Sequence, residues 1–537
     1  MPSFNTSPVT LGSASRSLTL CTLLVCVLGA SVYGQVSQPH RYEKLQKGSD
    51  DGFNIISLQY DGLALFRDLN KYRNSNKLWQ LILLDTALSE KKDLEFEIND
   101  RNKFIGYEVA RDRLYFLFRT GETTKNDFEL IEITYAGSEV GRYQFKPDLD
   151  FKLTHFTKAG PNFIFGGYVN NEPAVVLFEL QTNHIRVLPG FFQKDTELVD
   201  LRTNENQTFN TVLIDRGSKE NRKLTFRTFD ESGKQLLDDL VPIESPVFLQ
   251  TGITSTLQRE DLAVMGTWGE RNSKQSAGFY FMNVDPFSDQ QLKLIDFGQL
   301  EHFVDYLNPK RAEKVKESSE SDRAAKRIPN FTAYVAPFRV KEYKDGFLLL
   351  AEVYSPISTT SPYYSNPYYY NPYYGGGMLF SPYYYPGMGR MYRPYAYNNA
   401  ARTTSEIKAS SAALLSFDAT GKVLWDQSLK IEDVRMGGVD QVSDFFLDDR
   451  RIVFLYKKES EVRMKSIVLG SDKPEETISP INTGGETDNI RSEREYEGGV
   501  RHWMDNIFYV WGYHTVRNTN SDDRVRDVFY INKVVAN

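Results

Sequence analysis

The chain is poor in cysteine and in histidine, and both shortages exclude chemistry. Of 537 residues only two are cysteine and six are histidine. Cys21 and Cys26 both lie in the first 34 residues, a stretch that reads as removable. A mature chain without them has no disulfide, no thiolate nucleophile and no cysteine ligand for a metal. His155, His184, His502 and His514 have no further ligands around them at metal-binding spacing. Gly-x-Ser-x-Gly is absent, and so is a Gly-rich phosphate loop ending in Lys-Ser/Thr. Asp448-Asp449 and Asp522-Asp523 read as turn carboxylates, outside any regular calcium-binding loop. The expectation is no catalytic constellation, no metal and no cofactor. No long basic run suggests nucleic acid, and no later segment is apolar enough to span a membrane.

Residues 1–34 read as a secretory signal. Arg16 is their one charge, residues 18–30 form a 13-residue apolar core, and Ser31-Val32-Tyr33-Gly34 offers a cleavage site before Gln35. Thirteen residues are short for a span, so an uncleaved membrane anchor is the lesser alternative. Leu20 and Val25 precede the two cysteines, where lipoprotein processing prefers a small residue. Removing Arg16 takes the net charge from −7 to −8. A large exported chain without disulfides fits a bacterial periplasm, outer membrane or medium better than an animal extracellular module.

What the chain has in quantity is one grammar repeated. Residues 411–429, SAALLSFDATGKVLWDQSL, read as an apolar strand, a turn at Asp418–Gly421 and a second strand through Trp425. Asp418 can bond its own backbone two residues on, and Gly421 can take the positive φ of a bulged hairpin. Residues 224–240 and 130–145 repeat the pattern with Gly233 and Gly137 in the turn, and 81–96, 176–188 and 279–294 follow it loosely. Upstream of each copy stands a very apolar strand. These strands start near residues 61, 113, 163, 211, 261, 346, 451 and 506, mostly about 50 residues apart. This spacing predicts an all-β single propeller of eight blades, with seven as the alternative, spanning residues 35–537. Aromatic residues, 13% of the chain, suit blades packed face to face, and Trp425 is expected to be buried between two of them. Residues 54–58, NIISL, are the candidate for a strand that closes the ring on the last blade.

Residues 417–429, FDATGKVLWDQSL, resemble the repeat of quinoprotein-type, PQQ-like propellers, a superfamily-level likeness shared with WD40-like repeats. The resemblance implies about eight blades. The quinone enzymes often carry a vicinal disulfide near the cofactor, which this mature chain cannot form.

Two insertions interrupt the repeat. Residues 307–330 have a centre with seven basic and four acidic residues. They read as a solvated helix or disordered loop, either a mobile surface excursion or a lid or docking arm. Residues 355–409 are rich in Tyr, Pro and Gly, with 13 of the 32 tyrosines between Tyr363 and Tyr397. Their composition predicts an extended loop between two strands of blade six. It is a low-complexity expansion, an adhesive segment for an envelope protein, or a platform that stacks on glycan rings. The candidate binding residues are Tyr363, Tyr364, Tyr368, Tyr369, Tyr370, Tyr373, Tyr374, Tyr383, Tyr384 and Tyr385. The favoured function is a non-enzymatic envelope scaffold that binds protein or glycan. The alternative is a quinoprotein-like or polysaccharide-acting enzyme.

Overall fold

Strand-forming runs joined by short turns pair with their sequence neighbours, and in the computed structural model they build eight antiparallel sheets arranged as the blades of a propeller. The structure describes residues 36–47, 51–121, 127–217, 221–255, 262–357, 390–391 and 407–537, apart from 272, 274, 286, 288–289, 437–438, 472, 486, 495–496 and 519–524. Each of the eight apolar strands expected from the sequence is the second strand of a blade. They run Leu63–Arg73, Arg113–Thr120, Asn162–Val169, Phe209–Asp215, Leu262–Glu270, Gly346–Pro356, Arg451–Lys458 and Ile507–Asn518. Second strands are flanked by sheet on both sides and by blades above and below. That position explains why they are apolar throughout instead of alternating.

The repeated hairpins are the third and fourth strands, and their turns work as the side-chain chemistry requires. In blade six Asp418 Oδ1 accepts from the amides of Thr420 and Lys422, both at 2.9 Å, and Gly421 sits at φ +81°. In blade four Asp230 does the same for Ser232 and Lys234, with Gly233 at +77°. Lack of a side chain also matters at Gly421, where a Cβ would stand 2.2 Å from Phe281 of blade five.

Side chains on the two faces of each blade make the core. One cluster joins blades five and six around Phe281, Phe347 and Phe417, and another joins six and seven around Leu350, Leu414 and Phe454. Trp425 packs against the second cluster but is only half-buried. The expectation of full burial is therefore corrected. Trp425 belongs to Val423–Met436, the outermost strand of its blade, where one side of the ring meets solvent.

The ring closes with an N-terminal strand, as expected, but with a different one. Val36–Leu45 pairs along Val525–Ala536, from Val36 opposite Ala536 to Leu45 opposite Val528. Residues 54–57 are instead the inner strand of blade one, paired with Leu63–Arg73 across a short turn. Closing a turn of a few residues costs little chain entropy, so that local hairpin claims the segment first.

Insertion 307–330 contains the one α-helix among the described residues, Pro309–Ala324. Asn308 caps it by accepting from the Arg311 amide, and proline stands in its first turn. It is held in place at two points. Asp296 accepts from Ser319 Oγ and Arg323 Nη1, each at 2.7 Å, and Lys316 Nζ reaches the Glu301 carbonyl at 2.7 Å. Of the two expected alternatives, helix and loop, the structure has the helix, fastened to the propeller. The anchoring carboxylate lies outside the charged run, so the run's own composition could not reveal it.

Candidate functional site

Strand direction alternates within each blade, and this decides which loops share a face of the disc. Turns joining strands one to two and three to four lie on one face. Connections from strand two to three, and from one blade's outer strand to the next blade's inner strand, lie on the other. Residues 357–406 join the second and third strands of blade six, and residues 297–333 join blades five and six. Both insertions therefore leave from the same face at neighbouring positions. The ten candidate tyrosines, Tyr363 to Tyr385, lie outside the described residues. At the base of their insertion Pro356 pairs directly with Ile407, so the blade-six hairpin is complete without it. Within it, the two-residue strand Arg390–Met391 pairs with Gly106 and Tyr107 on the inner strand of blade two.

Around this base the polar groups are buried and occupied. Glu352, with no solvent exposure, accepts from the amides of Val442 and Ser443 at 3.0 and 2.7 Å, from Ser443 Oγ at 2.7 Å and from Tyr354 OH at 2.7 Å. Burial pushes its carboxyl up and these donors pull it back. On the next inner strand Asp444 takes Arg339 Nη2 at 2.5 Å and the His502 amide at 2.9 Å. Arg339 in turn lies 4.5 Å from the Phe445 ring centre. Asp444 is fully buried, yet Arg339 and His502 hold it below the usual carboxylate range. On the outer strand of blade six Asp426 accepts from the Glu301 and His302 amides, both at 2.8 Å. These carboxylates fasten one blade to the backbone of the next. With their lone pairs committed, they are poorly placed to take a proton from a substrate.

A second polar cluster sits between blades seven and eight. Glu493 binds Lys457 Nζ, accepts from Ser460 Oγ at 2.9 Å, and lies 3.7 Å from His514 Nε2. Ser460 Oγ is 3.4 Å from the same ring nitrogen. A Ser-His-acid triad places acid and serine on opposite nitrogens of the imidazole. Here both crowd Nε2, while His514 Nδ1 has no partner among the described residues. The cluster is thus a structural junction, completed by the Tyr530 ring 4.1 Å from His514.

The histidines are dispersed. His502 pairs opposite Phe508 and His514 opposite Val528, six residues along one strand, or about 20 Å. His155 is on the inner strand of blade three and His184 on its outer strand. Asp448 caps the amides of Arg450 and Arg451 in a turn, as expected, and Asp522-Asp523 lie outside the described residues. Among the described residues no group of three or more His, Cys, Asp or Glu side chains is placed to hold a metal ion. No helix of the described residues is long and apolar enough to cross a membrane.

One recurring device was visible in the sequence as a residue type though not as a role. Several second strands carry an aromatic in their second half, including Tyr168 in Asn162–Val169 and Tyr513 in Ile507–Asn518. Tyr168 OH accepts from the Leu198 amide at 3.1 Å and Tyr513 OH from the Phe53 amide at 2.7 Å, each at the start of the next blade.

No protein-family model matches the chain, and no curated protein matches it. Among solved structures it is similar to the β-propeller domain of the trilobed protease from Pyrococcus furiosus, with 12% identity, TM-score 0.33, and coverage of 80% of this chain and 95% of that one. It is also similar to prolyl oligopeptidase B from Galerina marginata, with 13% identity and TM-score 0.31, over 56% of this chain and 38% of that one. An apocarotenoid oxygenase from Synechocystis gives 9% identity and TM-score 0.30, over 49% of this chain and 69% of that one.

Proposed function

We propose that the protein is an exported, non-enzymatic β-propeller of the bacterial cell envelope, binding an envelope protein or glycan on the face from which both insertions leave. The observation that supports this reading is their placement. The connection that carries the docked helix and the base of the Tyr-rich insertion, Pro356 opposite Ile407, lie on one face of the disc, where the buried carboxylates of Glu352 and Asp444 are taken by backbone amides. Tyrosine offers large contact area at low entropic cost, and its rings stack on sugars as readily as on side chains. The propeller supplies the rigid platform, and the insertions supply the contact.

The experiment compares residues 36–537 with the same chain lacking residues 362–397, the ends rejoined by a short Gly/Ser turn. Co-sedimentation with purified peptidoglycan sacculi and capture on outer-membrane proteins are measured for both. Retention lost on deletion, with the folded state preserved, is the expected result. Equal retention by the two chains would overturn the role given to the Tyr-rich segment. Turnover of a polysaccharide, or quinone-dependent oxidation of an alcohol, would overturn the non-enzymatic reading. Export is checked by N-terminal sequencing of the periplasmic or secreted form, expected to begin near Gln35. An intact chain fixed in the inner membrane would refute it.

A further inference from the structure

Blade two carries a buried cation with no ion-pair partner among the described residues, on the face from which both insertions leave. Arg119 is the penultimate residue of the strand Arg113–Thr120 and is only 7% exposed. Its neighbours fix its direction. Arg119 lies opposite Phe128, and Leu117 opposite Leu130. Phe128, Leu117 and Leu130 all belong to the cluster between blades two and three, so the guanidinium projects toward blade three. Directly across on the inner strand is Lys103, exposed, and the register places its side chain on that same side.

Two cations directly opposite on neighbouring strands stand about 5 Å apart at Cβ and repel. Among the described residues the nearby carboxylates are engaged elsewhere. Asp127 is paired with Lys146 at 3.5 Å. Glu129 points to the other side of the blade, where it takes Asn102 at 2.6 Å and Arg142 at 3.2 Å. Among the described residues Arg119 Nε is sealed from solvent without an acceptor. Burial holds the guanidinium below its ordinary value. Arginine does not escape the cost of burial by losing its proton, so an uncompensated one costs several kcal/mol. Two other buried arginines have carboxylate partners. Arg339 has Asp444, and Arg227 has Asp238 at 2.9 Å.

We propose that the end of blade two that faces blade three is an oxyanion-binding site, with Arg119 as the buried anchor and Lys103 as the exposed second cation. The ligand is a carboxylate or phosphate group. The arginine fork matches either by paired hydrogen bonds, and the lysine adds a second positive charge beside it. The site is independent of the scaffold reading, since it rests on blade two alone. If that reading holds, it names the chemistry of a ligand on the same face, such as an acidic sugar or a phosphorylated glycan.

Titration calorimetry of residues 36–537 at pH 7 with inorganic phosphate and, separately, with glucuronate tests it. Saturable binding of at least one is expected, phosphate alone marking a phosphoryl ligand and glucuronate alone a carboxylate. Arg119→Met should weaken binding by at least tenfold and should not lower the melting temperature in anion-free buffer, because it removes an uncompensated charge. Lys103→Met, at an exposed position that cannot threaten folding, should weaken binding several-fold. Absence of binding by both anions overturns the proposal, as does unchanged affinity in Lys103→Met. It is also overturned if Arg119→Met lowers the melting temperature in anion-free buffer, which would mean that a carboxylate of the chain already serves Arg119.

Discussion

Glu352 provides the sharpest test of how the blades are fastened. It is fully buried, and it holds the start of the blade-seven inner strand through two backbone amides and two hydroxyls. Glu352→Ala removes all four acceptor contacts. Tyr354 OH keeps its alternative, the Asp440 carbonyl at 2.8 Å, and Ser443 Oγ can rotate. The amides of Val442 and Ser443 cannot move without breaking the strand. Leaving two buried N–H groups unpaired costs about 1–3 kcal/mol each. Part of that is returned because a buried carboxylate no longer has to be desolvated. The net loss should be about 2–4 kcal/mol. Glu352→Gln keeps one oxygen for the Ser443 amide. Its new NH₂ can donate to Tyr354 OH, whose own proton then goes to Asp440, so the loss should be about 1 kcal/mol. Urea denaturation measures both, read as a shift in midpoint at unchanged slope. A loss below about 1 kcal/mol for the alanine variant, or an equal loss for both, would refute the fastening role.

Gly421→Ala should cost about 2–4 kcal/mol, because it combines a positive φ with a Cβ 2.2 Å from Phe281. Gly470→Ala, at φ +85° with nothing within 4 Å, should cost only the backbone share, about 1 kcal/mol, and equal losses in urea would contradict the packing argument. Trp425→Ala should cost about 2 kcal/mol, below the range for a fully buried tryptophan, since the ring is half-buried; denaturation that finds 4 kcal/mol or more would put it back in the core. Burial pushes His155 down to about 4 and also lowers His502 and His514, so the unfolded chain takes up protons first as pH falls. The stability this contributes is present above about pH 6.5 and is lost between there and about pH 4, with His155 accounting for at most about 3 kcal/mol. His155→Gln should flatten urea midpoints measured at pH 7.5, 6 and 4.5, and an unchanged slope would rule His155 out as the source.

The strand-and-turn grammar was legible because its causes are local. An aspartate bonds amides two and four residues on, a glycine takes positive φ, and an apolar run marks a strand buried on both faces. Eight such runs separated by about 50 residues pointed to an all-β propeller of eight blades, with seven as the alternative, and the structure has eight sheets. What the tertiary structure decided depends on partners far apart in the chain. Glu352 meets Ser443 across 91 residues, Arg339 meets Asp444 across 105, and Asp296 catches a helix 23 residues away. Composition could mark residues 307–330 as charged but could not supply the carboxylate that docks them. Local pattern could propose 54–58 as the closing strand because any short apolar strand satisfies an open edge. The register of Val36–Leu45 on the last strand settled the choice. Arg119 reads in sequence as an ordinary strand-end cation; only packing against blade three leaves it buried, with its Nε unpartnered among the described residues. Hydrogen bonds within a turn are encoded by neighbours, whereas the burial and pairing of a charge depend on which blade comes to lie against it.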